Sequence, residues 1–238
     1  MMTAGKSATD FVTEGECTSM SSDWRNRLVS TLLFIAMSGP CAYGADITGR
    51  VVGENGEGIA DAVVFVQTLP PNVTPGAVAQ SATLDQIHKE FVPAVLPIAV
   101  GTQVRFPNHD QIHHHVYSFS RTKSFELPLY KGEEAMPIVF DKPGLVKIGC
   151  NIHDWMSAIV FVAPTPYFAT TDESGKFVLS NLPAGTYSVA CWHKQSQNKV
   201  EDTVQQVLVD GTPRAVQFSL TLGAARERPP VRGERGNP

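Results

Sequence analysis

From about residue 45 to residue 222 the chain alternates short apolar runs with clusters of turn-forming residues, and nowhere shows a sustained 3.6-residue period. Runs rich in β-branched and aromatic residues predict strands over 46–52, 61–67, 96–106, 114–119, 137–140, 145–148 and 159–162. Four more follow over 176–179, 186–192, 204–209 and 215–222. Glu54-Asn55-Gly56, Lys142-Pro143-Gly144, Asp172-Glu173-Ser174-Gly175 and Pro183-Ala184-Gly185 supply turn chemistry between them. Only Leu84 to Phe91 reads as a helical turn. The pattern predicts an all-β chain built as β-sandwiches.

The ends read differently. Arg25 and Arg27 precede the apolar run Leu28–Met37, which is followed by small residues up to Gly44. That is the layout of an export signal, so residues 1–44 are expected to be a leader and signal peptide cleaved near Gly44, with the mature protein periplasmic. Residues 1–19 have no part in this scheme, and Met20 is the expected start. The apolar run is too short to span a bilayer. Residues 223–238, rich in Gly, Arg, Glu and Pro, are expected to be a disordered tail.

A formal net charge of −4 gives no reason to expect nucleic acid or an anionic membrane as partner. Cleavage at Gly44 would leave two cysteines, Cys150 and Cys191. In an oxidising compartment they permit one disulfide. The neighbours of Cys150 argue instead for a ligand.

Those neighbours form Cys150-Asn-Ile-His153-Asp-Trp-Met156. Upstream lie Phe106-Pro-Asn108 and the run His113-His114-His115. A type 1 copper site needs two imidazoles and a thiolate in a trigonal plane with a weak axial thioether. The Cys-x2-His-x2-Met loop offers three of these donors, and a neighbouring strand must bring the fourth. Strand alternation turns Val146, Ile148 and Cys150 to one face, so the thiol is expected to point into a core. His88, His109, His113 and His115 read as loop or surface histidines, His193 as structural, and Cys191, on the Tyr187/Val189 face, as a core thiol. Trp155 is expected beside His153.

The segment 80–163 resembles the cupredoxins, of the plastocyanin and amicyanin type. Its flanks, Ile47-Thr-Gly-Arg-Val-Val with Ile59-Ala-Asp-Ala-Val-Val-Phe-Val, and Thr171-Asp-Glu-Ser-Gly with Leu182-Pro-Ala-Gly-Thr-Tyr, resemble the carboxypeptidase-regulatory-like sandwich. The resemblance implies a Greek-key copper domain inserted into a second, smaller sandwich formed by 45–79 and 164–222. It implies one type 1 copper on His114, Cys150, His153 and Met156. It implies a non-enzymatic electron carrier whose partner is a c-type cytochrome or a dehydrogenase. A copper-binding, delivery or sensing role is the alternative, motivated by the histidines over 109–115. The relatives carry Asn after the upstream histidine where this chain has His115, so His113 and His115 stay open beside His114.

Overall fold

The computed structural model describes residues 44–132 and 135–224, so the expected leader and most of the expected tail lie outside the described residues. The first strands are β1 (Ala45–Val52), β2 (Val63–Thr68), β3 (Ser81–Thr83), β4 (Asp85–Ile87), β5 (Glu90–Val92) and β6 (Val95–Ala99). Next come β7 (Gln103–Arg105), β8 (Val116–Phe119), β9 (Ser124–Glu126), β10 (Ile138–Val139), β11 (Gly144–Cys150) and β12 (His153–Ala163). The last are β13 (Phe168–Thr170), β14 (Lys176–Leu182), β15 (Gly185–Trp192), β16 (Gln205–Val209) and β17 (Arg214–Ser219). One short 3-10 turn, Val200–Thr203, interrupts them. The chain is all-β, as its pattern predicts.

Two separate cores form. The first lies between the sheets β14-β1-β17 and β13-β2-β15-β16 and takes its side chains from both ends of the described chain, including Ile47, Val64, Leu179, Tyr187 and Phe218. The second lies beneath the five-stranded sheet β6-β12-β11-β8-β9, facing β10-β7-β3 and the β4-β5 hairpin, and is filled by Leu84, Phe106, Val116, Phe140, Ile148 and Val160 among others.

A third cluster joins the two. Val63 to Val66 are all buried, and so are Val160 to Ala163, because β2 and β12 are covered on both faces. Strands covered twice read as unbroken apolar runs rather than alternating ones. Their second faces meet through Phe65 and Phe161, edge to face with centroids 4.8 Å apart, and Phe161 also packs on Trp192 at 5.4 Å. Aromatic pairs in these arrangements add about 0.5–1.5 kcal/mol beyond simple burial.

Three local expectations change. The stretch Leu84 to Phe91 is the β4-β5 hairpin and not a helical turn. His88 and Lys89 hold φ of 54° and 59°, the left-handed pair that a tight hairpin turn requires and a right-handed helix forbids. The run 96–106 divides into β6 and β7 at Gly101, whose φ of 91° lets the chain turn there. His114 precedes β8 instead of opening it, and is tied by a bridge to Tyr130.

Candidate metal centre

β11 ends at Cys150 and β12 begins at His153, with Asn151 and Ile152 forming the turn between them. The register shifts after Gly149, so Cys150 stands opposite His153. On its other side Cys150 pairs with Val116 of β8. Alternation does the rest. Val146, Ile148 and Cys150 are buried on the core face, as expected, while Leu145 and Lys147 face outward.

The same alternation sorts the histidines. His114 shares the inward face with Val116 and Ser118, all three fully buried, whereas His113 is exposed and His115 turns toward Glu126. The backbone of His114 is fixed by two hydrogen bonds with Tyr130, at 2.9 and 3.0 Å. Asn108 holds the approach, its side-chain amide donating to the carbonyls of Ile112 and Tyr130.

Three donor atoms converge as a result. His114 Nδ1 lies 3.2 Å from His153 Nδ1, and Cys150 Sγ lies 3.7 and 3.6 Å from these two nitrogens. Among the described residues this is the one group of three His, Cys or acidic side chains so disposed. A point equidistant from three atoms with those separations lies about 2.0 Å from each. Nitrogen and sulfur bond to first-row divalent metals at roughly 2.0–2.3 Å. The triangle therefore has the size of a metal's coordination plane. Met156, three residues beyond His153, is 2% exposed and belongs to the same core as Cys150.

The outer ring atoms matter as much. His114 Nε2–H donates to Asp110 Oδ2 at 2.8 Å. That bond fixes the proton on Nε2 and leaves the Nδ1 lone pair facing the sulfur. Asp110 also accepts the backbone N–H groups of His88 and Lys89, at 2.6 and 2.8 Å. Burial pushes the Asp110 carboxyl up, but the bonds from the Lys89 amide, His114 and the His88 amide outweigh it, so the group stays below the usual carboxylate range. Burial first, then His114 and Lys89, depress the His153 imidazole, against an opposing pull from Asp110. A depressed imidazole is neutral at pH 7 and keeps its lone pair for a metal.

Trp155 lies beside His153, ring centroids 5.4 Å apart. His109 is bound to Asp85 at 2.7 Å, and His193 is buried in the other part of the fold. Cys150 and Cys191 are both free thiols, in different cores.

Sequence reasoning missed Asp110. Its four-residue spacing before His114 is a faint signal, and its other two partners come from a turn some twenty residues upstream.

No family model matches the chain, and no curated protein does. Its structural neighbours are cupredoxins. A copper-containing nitrite reductase from Thermus scotoductus SA-01 matches with 29% identity over 37% of this chain and a quarter (25%) of its own, at a TM-score of 0.33. An amicyanin matches with 19% identity over 42% of this chain and 97% of its own, also at 0.33. A purple cupredoxin from Nitrosopumilus maritimus matches with 24% identity over 36% of this chain and all of its own, at 0.31.

Proposed function

We propose that the protein binds one copper ion as a type 1 centre and carries single electrons in the periplasm. The observation that carries this reading is the triangle of His114 Nδ1, His153 Nδ1 and Cys150 Sγ, with edges of 3.2 to 3.7 Å. Two imidazoles, a thiol and a thioether are the donor types of such a centre, and His114, His153, Cys150 and Met156 would hold the ion. Copper supplies a one-electron couple. The residues supply its rigidity. His114 is gripped by Asp110 and Tyr130, Cys150 is paired into two strands, and His153 is backed by Trp155. Of the two imidazoles, His114 is fully buried and His153 only partly, so His153 is the port through which electrons pass. The Trp155 ring beside it would shape the surface that a c-type cytochrome or dehydrogenase meets.

In this reading 80–163 is the copper module, inserted in a second sandwich formed by 45–79 and 164–222. The separation of the two cores supports that division. The protein makes and breaks no substrate bonds, so it is not an enzyme. Delivery or sensing of copper is less well supported, because His109 is bound to Asp85 and neither it nor His115 forms part of a second donor cluster among the described residues.

Adding copper(II) to the purified protein should give an intense visible band from the thiolate–copper bond. Cys150→Ser should abolish it. A blue band that survives this substitution would overturn the assignment.

A further inference from the structure

Behind the strand that ends in Cys150 lies a groove of about 740 Å³ lined by residues of β8, β11 and β12. Its floor exists because residue 149 is glycine. Gly149 is paired with Tyr117, and a Cβ there would lie 3.0 Å from the Tyr117 ring, so the ring lies across the bare backbone. Phe119 continues the same face. Its ring is 4.9 Å from that of Tyr117 and inclined by 38°, and it is 78% exposed.

Arg121 and Lys147 line the same groove. Among the described residues neither is paired with a carboxylate, whereas neighbouring Lys123 is held by Asp141. Asp154 is the one acidic residue in the lining. Two free cations against one acid favour an anion. Two tilted, accessible rings favour a flat aromatic body. A concave space of this volume falls in the range of roughly 300–1,000 Å³ that small ligands occupy, whereas a protein partner needs a broad face of about 800 Å².

We propose that this groove binds a small planar aromatic anion, its rings against Tyr117 and Phe119 and its charge between Arg121 and Lys147. Cys150 and Met156 reach the inner wall of the same groove. Its influence on a metal centre rests on the copper reading above; the binding itself does not.

The full chain, free of copper, would be titrated with anthraquinone-2-sulfonate by calorimetry and by amide NMR. Saturable one-to-one binding is expected, with the largest shifts at Tyr117, Phe119 and Gly149. Replacing both cations (Arg121→Ala with Lys147→Ala) should weaken it about tenfold, while Arg121→Lys with Lys147→Arg should restore most of the loss. Added salt should weaken it as well. The proposal is overturned by absence of saturable binding, by equal affinity for an anthraquinone bearing a quaternary ammonium, or by shifts centred elsewhere. In the copper-loaded protein the same ligand should shift the visible band; failure to form that band would sink the copper reading and leave the groove measurement standing.

Discussion

Asp110 Oδ2 accepts a hydrogen bond from His114 Nε2 at 2.8 Å, and the same carboxylate caps both amides of the His88-Lys89 turn. One side chain thus ties a hairpin turn to the buried imidazole of the candidate metal centre.

Asp110→Ala removes an acceptor from three donors at once, one of them on a fully buried ring. A buried donor left without a partner costs roughly 1–3 kcal/mol. Loss of a carboxylate behind a ligand histidine typically lowers metal affinity about 10- to 100-fold. Denaturant melting of the copper-free protein and copper(II) titration should show both effects. Unchanged copper affinity would mean that the tautomer of His114 is held by something else.

Two glycines separate close approach to backbone from close approach to a side chain. A Cβ at Gly49 in the central strand β1 would lie 2.0 Å from the Val216 carbonyl oxygen, also against the Phe177 ring. At Gly149 the obstacle is the far end of the partly exposed Tyr117 side chain at 3.0 Å, which can give way where backbone cannot. Gly49→Ala should cost more than about 3 kcal/mol or prevent folding, and Gly149→Ala about 1 kcal/mol or less. Equal losses in urea melts would contradict this account.

Stability should fall on the alkaline side. Burial pushes the Cys191 thiol from 9.0 up to about 12. Burial, with some help from Tyr167, pushes Tyr187 from 10.0 up to about 12. Both groups are neutral when protonated, so the unfolded chain ionises first as pH rises. Their contribution is whole below pH 9 and is lost between about 9 and 12. Cys191→Ala should flatten the pH dependence that begins near pH 9, whatever its effect at pH 7. A profile identical to the parent's would refute the assignment.

Phe161 is the hinge of packing between the two cores, touching both Phe65 and Trp192. Phe161→Ala should cost roughly 3–5 kcal/mol. It should also divide a single thermal transition into two, because each core is complete without the other. A single transition with unchanged midpoint would show that the cluster does not couple them.

How much of this was legible beforehand differs from residue to residue. The pairing of Cys150 with His153 was, because the two sit at the ends of one short turn and strand parity fixes where the thiol points. His114 was favoured only through the family resemblance, with His113 and His115 open beside it, and its pairing with Tyr130 and the register of β8 against Cys150 set its face. The 84–91 stretch misled because apolar Leu84, Ile87 and Phe91 satisfy a helical spacing as readily as a strand's; the positive φ at His88 and Lys89 leaves no mark in composition.

The chain's own order of residues determined its all-β character, the inward thiol and the donors of one tight turn, since these depend on alternation and spacing over a few neighbours. Folding in three dimensions decided which histidine completes the triangle, which carboxylate orients it and where an open groove forms behind Gly149. Each of those depends on atoms brought together from segments tens of residues apart, and local periodicity carries no information about such meetings.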